Sequence, residues 1–139
     1  MTKKILETIK KYEKKGDFNY AESTDAVLTE AQKRLGIMLP EQFIDYVKMF
    51  GSGGIGGISI LGIGLDGSIM FEEETRDYRQ YGLPENLVVI ENIDEWLNCI
   101  DCTTGKIVSW DQSGFVKEES DCFDDYLMQQ MHDVIDNLK

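Results

Sequence analysis

Prolines, histidines, cysteines and long apolar runs are all scarce in this sequence, and each scarcity excludes a class of protein. The 139 residues include two prolines, one histidine and three cysteines. Three cysteines do not form a disulfide framework, so we expect reduced thiols and a cytoplasmic location. A hydrophobic content of 42% with so little proline excludes a disordered chain. No apolar stretch matches a membrane span or a signal segment, so we expect neither insertion nor secretion.

Basic charge is also scarce beyond the first 15 residues. Residues 1–15 contain six Lys and two Glu, whereas the other residues contain 8 Lys or Arg and 24 Asp or Glu. The formal net charge is −12 for the chain and −16 outside this first segment. Such an acidic body is not expected to bind nucleic acid directly, but it would attract a basic protein. Acidity that only provides solubility is the alternative.

The most ordered pattern is LGIMLPEQFIDYVKMFGSGGIGG, at residues 35–57. Pro40 is predicted to occupy the first position of a helix, where its missing N–H costs nothing. Phe43, Val47 and Phe50 recur at helical spacing, and Gly51 follows where a C-cap glycine belongs. A glycine-rich crossing then leads into a predicted strand. This segment is therefore expected to be a helix packed on a sheet.

The rest of the chain predicts helices around a set of short strands. Helices are predicted at residues 3–15, from Thr29 to Gly36, from Pro40 to Phe50 and from Ser120 or Asp121 onward, and strands at 57–62, 68–72, 87–90, 95–101, 106–111 and 115–116, with 72–81 a loop or a short helix. Expected core residues are Phe43, Val47, Phe50, Trp110, Phe123 and Leu127. We predict an α+β fold in a single domain, residues 1–139, with a mainly antiparallel sheet packed by N-terminal helices and a C-terminal helix.

The lysines of the first helix admit two interpretations. They could form an arm for a membrane surface or a nucleic acid. The interpretation we favour is a solvated face on a helix that packs against the body through Ile5, Leu6, Ile9 and Tyr12.

Two glycine patterns match G-x-G-x-x-G, at Gly51/Gly53/Gly56 and Gly62/Gly64/Gly67. A dinucleotide site needs this pattern between a strand and a helix. The first copy follows a predicted helix and the second precedes a predicted strand. We therefore interpret these glycines as turns, bulges and close contacts, and expect no cofactor.

Cys99 and Cys102 have the C-x-x-C spacing of redox pairs and zinc sites. A redox pair would lie at a helix N-terminus, but this pair lies at the end of a predicted strand. Zinc would have to recruit Cys122 and His132, which have no recognisable ligand spacing. A Cys3His zinc set stays open by count alone. We expect three structural thiols and no metal.

No catalytic pattern stands out either. A Ser-His-Asp triad would depend on His132, and no G-x-S-x-G elbow exists. With two dozen carboxylates, no acid–base pair can be chosen without geometry. We therefore predict that the chain is not an enzyme and assign no catalytic residue.

The ordered motifs resemble those of the SUKH superfamily, which contains bacterial immunity proteins and yeast cell-wall-synthesis regulators. The matching features are the LP-x-x-F helix with G-x-G-G, the Asp101 to Lys106 turn with its return strand, and S-x-x-F-x-x-Y-L from Ser120 to Leu127. They cover roughly residues 25–130. Residues 65–86 match no strong motif.

This resemblance implies an immunity protein that binds a cognate toxin, often a nuclease, and occludes its active site. An acidic surface could cover a nuclease site that holds phosphates. Tyr78 and Tyr81 are the expected aromatic anchors. The expected acidic rim, predicted to be exposed, consists of Glu72, Glu73, Glu74, Asp77, Glu118, Glu119, Asp121 and Asp125.

Two other functions stay open. The chain could be a non-enzymatic intracellular regulator or scaffold, as some eukaryotic relatives are, although those relatives carry long disordered extensions. A small hydrolase built on buried carboxylates is the third alternative. The expected partner is a basic toxin rather than a nucleic acid or a membrane, and a homo-oligomer is left open.

Overall fold

The chain forms five helices and four strands in a computed structural model that describes residues 1–138. In order these are α1 (Lys3–Tyr12), α2 (Asp25–Leu35), α3 (Glu41–Phe50), a 3₁₀ turn (Ile55–Gly57), α4 (Met70–Arg79), β1 (Leu87–Asn92), β2 (Leu97–Asp101), β3 (Ile107–Trp110), β4 (Val116–Ser120) and α5 (Phe123–Ile135). Helices flank one antiparallel sheet, so the predicted α+β class is confirmed.

Helices α1 and α2 each begin at a threonine cap. The hydroxyl of Thr2 accepts a hydrogen bond from the Ile5 N–H at 3.3 Å, and that of Thr24 accepts one from the Val27 N–H at 3.2 Å. The predicted start at Thr29 is wrong, because the earlier cap adds a full turn and leaves Thr29 inside α2. Its predicted end is confirmed, since Gly36 adopts a left-handed conformation there.

The N-terminal helix is shorter than predicted but packs as expected. It ends at Tyr12 rather than near residue 15, because Glu13 is already extended. Ile5 and Ile9 are buried against the body, and α1 lies beside α5. Its lysines are exposed. This arrangement is that of a packed helix with a solvated face.

Pro40 lies one position before helix α3, whereas it was predicted to be the first residue of that helix. It has the φ of a helical residue, −59°, but an extended ψ of 144°, so it precedes the first turn. The apolar face of α3 is buried as expected, at Phe43, Val47 and Phe50. Gly51 ends the helix at a φ of 75°.

The predicted strands at 57–62 and 68–72 are wrong. Residues 51–69 form isolated bridges instead, such as those of Gly53 with Ile60 and of Ile63 with Ile69. The backbones are so close that a Cβ on Gly62 would lie 1.8 Å from the Gly51 carbonyl oxygen. Residues 70–72 belong to helix α4. Most of the charged segment at 72–81, predicted as a loop or a short helix, belongs to the same helix.

The four strands form a meander in the order β1-β2-β3-β4. The predicted hairpin of β2 and β3 is confirmed, with Cys99 opposite Val108. The β1 edge is covered, because the Val89 N–H donates to Thr75 Oγ1 of α4 at 2.9 Å. The Leu61 N–H also donates to the Ile90 carbonyl at 2.8 Å. Strand β4 forms the other edge.

The core lies on both faces of the sheet. The larger cluster joins Val88, Ile90, Ile100 and Ile107 to the helices. The smaller cluster contains Leu83, Leu87, Val89, Leu97, Cys99, Val108 and Trp110, with Tyr78 against it. All six predicted core residues are buried. Trp110, however, lies in the smaller cluster and contacts Tyr78 of α4 rather than α3 or α5.

Candidate partner-binding surface

Glu72 does not belong to an exposed acidic rim. It is only 5% exposed, and Arg34 of α2 donates to its two carboxylate oxygens from Nε and Nη2, both at 2.7 Å. Arg76 adds a third contact at 3.4 Å. These arginines, Arg34 foremost, lower the pKa of the Glu72 carboxyl. The expectation that residues 72–74 are all exposed is wrong, because Glu72 joins α2 to α4.

The other predicted residues of α4 differ in exposure. Glu73, Asp77 and Tyr81 are exposed, whereas Glu74 is half-buried and accepts a hydrogen bond from Asn92 Nδ2 at 3.3 Å. Tyr78 is half-buried, with its ring edge-on to that of Trp110 at 6.3 Å between centroids. Arg76 also lines the cleft of about 590 Å³ beside Glu73 and Asp77. The surface of α4 is therefore mixed in charge.

The other predicted carboxylates do meet, where β4 leads into α5. Glu118, Glu119, Asp121 and Asp125 line one open cleft of about 330 Å³, together with Ser120 and Gln129. We call this the acidic cleft. All four carboxylate residues are exposed. A cation is in contact with one of them, since Lys106 Nζ lies 3.3 Å from Glu118.

The two predicted groups of acidic residues lie at opposite edges of the sheet. Helix α4 covers the β1 edge, whereas the acidic cleft adjoins β4. Three strand spacings separate these edges, roughly 14 Å. The structure therefore places the predicted residues on two surfaces rather than on one continuous rim.

A second cavity adjoins the acidic cleft through Glu119, which lines both. This cavity of about 360 Å³ lies over the end of strands β2, β3 and β4. Its main lining residues are Trp96, Asn98, Ser109, Phe115, Glu119 and Tyr126. We call it the sheet-end pocket. Trp96 and Phe115 are 41% and 60% exposed, so this end of the surface is aromatic and accessible.

A chain of buried polar groups supports the floor of the sheet-end pocket. The hydroxyl of Tyr126 donates to Glu91, and Asn98 Nδ2 donates to the Tyr126 oxygen at 2.7 Å. Trp96 Nε1 donates to Asn98 Oδ1 at 3.1 Å. Burial and the nearby Glu91 carboxylate raise the pKa of Tyr126, so its hydroxyl stays protonated. These bonds connect strand β1 to the exposed indole of Trp96.

Sequence reasoning missed most of the sheet-end pocket. One available signal was the polar residues Glu91 and Asn98 within otherwise apolar strands, since buried polar groups need partners. Another was the consecutive pair Phe115 and Val116, because neighbouring residues of a strand face opposite sides. Neither signal shows which elements come together.

The free edge of the sheet lies beside the acidic cleft. The Asp111 N–H donates to the Phe115 carbonyl at 3.3 Å, and Ser109 lies opposite Lys117. Hydrogen-bonded pairs alternate along an antiparallel ladder, so the backbone groups of Val116 and Glu118 point away from β3. An extended segment of another chain can bond to such an edge.

The cysteines lie in apolar or half-buried positions. Cys99 belongs to the smaller core cluster, and Cys102 is half-buried. Burial raises the pKa of each of these thiols to about 12, the reverse of an activated redox thiolate. His132 is exposed on α5. Within residues 1–138, no three His, Cys, Asp or Glu residues form a group that could hold a metal ion.

The glycine patterns have no nucleotide-binding arrangement. The first copy follows helix α3 and enters the 3₁₀ turn. The second copy lies between the 3₁₀ turn and helix α4, and does not precede the strand predicted there. Two carboxylates, Glu72 and Glu73, occupy the first turn of α4, where a phosphate would have to bind. The glycines serve close backbone contacts instead.

The fold and this surface define an α+β protein whose sheet edge carries an acidic cleft and exposed aromatic residues. The family model SUKH_5, described as SMI1-KNR4 cell-wall, matches residues 2–132. The chain therefore belongs to the SUKH superfamily, as the motifs predicted. A crystal structure of a protein from Pseudomonas syringae pv. tomato has a similar fold, with a TM-score of 0.69 and 18% identity over 86% of this chain and 89% of that chain.

The helices are short relative to a lipid bilayer. None within residues 1–138 is long and apolar enough to cross a membrane.

Proposed function

We propose that this chain is a non-enzymatic immunity protein that binds a basic protein toxin. The observation that supports this most is the acidic cleft, where four exposed carboxylates lie beside the free β4 edge. A net charge of −12 would speed the encounter with a basic partner. The exposed Trp96 and Phe115 beside the cleft provide the aromatic contacts typical of binding hot spots.

The proposed mechanism is occlusion of the active site of a nuclease toxin. A nuclease needs positive charge where it holds the phosphates of its substrate. The carboxylates of the acidic cleft would pair with those cations and keep the nucleic acid out. Among the predicted residues, Glu118, Glu119, Asp121 and Asp125 carry this proposal. Glu73, Asp77, Tyr78 and Tyr81 lie at the other edge and would contact only a large toxin, whereas Glu72 and Glu74 are held within the protein.

The test is co-expression of this protein with the toxin domain encoded beside its gene. We expect the protein to restore growth and to co-purify with the toxin. The variant Glu118→Lys/Asp121→Lys/Asp125→Lys should lose both effects. Its matched control, Glu7→Lys/Glu22→Lys/Glu85→Lys, changes the net charge equally at exposed sites outside the acidic cleft and outside the predicted rim, and should retain them.

Three outcomes would contradict parts of this proposal. If the unaltered protein neither restores growth nor co-purifies with a neighbouring gene product, the immunity function is wrong. Equal loss of activity in both triple variants would mean that binding depends on the net charge of the protein and not on the acidic cleft. Retention in both would exclude the cleft as the binding surface.

The alternative function is a non-enzymatic intracellular regulator or scaffold. It is favoured by the description of the matching family, which refers to the cell wall rather than to a toxin. A regulator would co-purify with a host protein in the absence of any toxin gene. The same pull-down therefore separates the two functions.

A further inference from the structure

We propose that the sheet-end pocket accepts an arginine side chain from the protein partner. This assignment names a chemical group on the partner of the proposed function, and it rests on that function only for the partner's identity. The pocket of about 360 Å³ is concave and has a floor of buried polar groups. The polar side chains of this floor are already fixed by their hydrogen bonds to one another.

The walls of the sheet-end pocket suit a long side chain with a planar cationic end. Trp96 and Phe115 provide apolar surface for the methylene groups of arginine and ring faces for its guanidinium. Trp96 is held by its hydrogen bond to Asn98, which is buried. The aromatic wall is therefore in place before a partner binds, which lowers the entropy cost of binding.

Several polar groups that line the sheet-end pocket can accept hydrogen bonds. Glu119 accepts one hydrogen bond from Ser109 Oγ at 3.0 Å through Oε1, which leaves its other oxygen for a ligand. The Ser109 oxygen and the side-chain oxygen of Gln130 add further acceptors. A guanidinium has five N–H donors in a planar fork, and a carboxylate can accept two of them.

The charge of the pocket also favours a cation. Two carboxylates line it, those of Asp111 and Glu119, together with one ammonium group, that of Lys117. Hydrogen bonds from Ser113 lower the pKa of Asp111, so this carboxyl is ionised near neutral pH. Behind the floor, the buried Glu91 accepts from Tyr126. Lys117 is exposed and can turn towards solvent when a guanidinium enters.

The test is an NMR titration of the isolated protein that uses no toxin. The probe is N-acetyl-arginine amide, and the readout is the indole N–H resonance of Trp96, assigned through Trp96→Phe. We expect a saturable shift with a Kd of about 1–10 mM, as for a single weakly held side chain. N-acetyl-citrulline amide, which has a similar shape without the charge, should bind at least about fivefold more weakly.

Two neighbouring glutamates provide a matched pair of variants. Glu119→Gln should weaken binding of the arginine amide about fivefold. Glu118→Gln, on the same strand and equally charged, should leave it unchanged, because Glu118 does not line the pocket. If the Trp96 resonance shows no saturable shift, or if citrulline binds as well as arginine, the inference is wrong. Equal effects of the two variants would also overturn it.

The two proposals can fail separately. Growth rescue without arginine binding would leave the immunity function standing and exclude the pocket as an arginine site. Arginine binding without rescue would support the pocket and overturn the immunity function.

Discussion

Three consecutive glutamates have three different environments, which shows how much is decided at the scale of single residues. Glu72 is buried against Arg34, Glu73 is exposed, and Glu74 is half-buried beside Asn92. Successive residues of a helix point about 100° apart, since a turn contains 3.6 residues. A run of like charges therefore cannot be treated as one surface.

The difference in exposure between Glu72 and Glu73 leads to a prediction about the stability of two variants. Glu72→Lys should lower the free energy of unfolding by about 3 kcal/mol, because it removes the buried carboxylate that holds Arg34 and places a cation beside Arg34 and Arg76. Glu73→Lys, one residue further on and exposed, should change it by less than about 0.5 kcal/mol. Urea denaturation at neutral pH measures both values. Similar stabilities of the two variants would contradict the buried position of Glu72.

At the scale of elements, helix α3 is the centre of the helical layer. The ring of Phe43 packs edge-on against Phe71 of α4 and Phe123 of α5, in each case with 5.4 Å between centroids. One side chain therefore joins three helices over the sheet. The apolar spacing of α3 predicted this burial but not its partners.

Phe43→Ala should therefore lower the free energy of unfolding by about 3–5 kcal/mol, as large core truncations do. Met49→Ala is the control, because Met49 lies on the same helix and is 47% exposed. It should cost less than about 1 kcal/mol. Thermal and urea denaturation would reveal the difference. Equal losses would mean that the packing of Phe43 against α4 and α5 does not set the stability of this layer.

At the scale of the whole molecule, the charge is uneven. The six lysines of the first 15 residues lie on or near α1, while the rest of the chain carries −16. Exposed charges act on a partner through solvent and are screened within about 8 Å at physiological ionic strength. The overall field would thus govern how fast a partner arrives rather than how long it stays.

The association rate constant of the proposed toxin complex should therefore fall at least about tenfold between 0.05 and 0.5 M salt, with a smaller change in the dissociation rate. Surface plasmon resonance at several salt concentrations measures both rates. Trp96→Ala should instead raise mainly the dissociation rate, because Trp96 is uncharged and would act through direct contact with the partner. A salt-independent association rate would refute electrostatic steering.

Sequence reasoning was reliable where a segment is stabilised by its own neighbours. The periodicity of Phe43, Val47 and Phe50 indicated α3, and Gly105 marked the hairpin of β2 and β3. It was wrong for residues 57–72. There the backbone hydrogen bonds reach distant segments, such as that of Leu61 with Ile90, and no local pattern records them.

The amino-acid sequence by itself determined the acidic charge, the helical faces and the superfamily. Only the tertiary structure decided which carboxylates are exposed and which ones meet. Arg34 reaches Glu72 across 38 positions of the chain, and Asn98 reaches Tyr126 across 28. The sheet-end pocket likewise combines β2, β3, β4 and α5. The physical reason is that burial and pairing depend on the packing of distant elements, whereas composition and periodicity report only local preference.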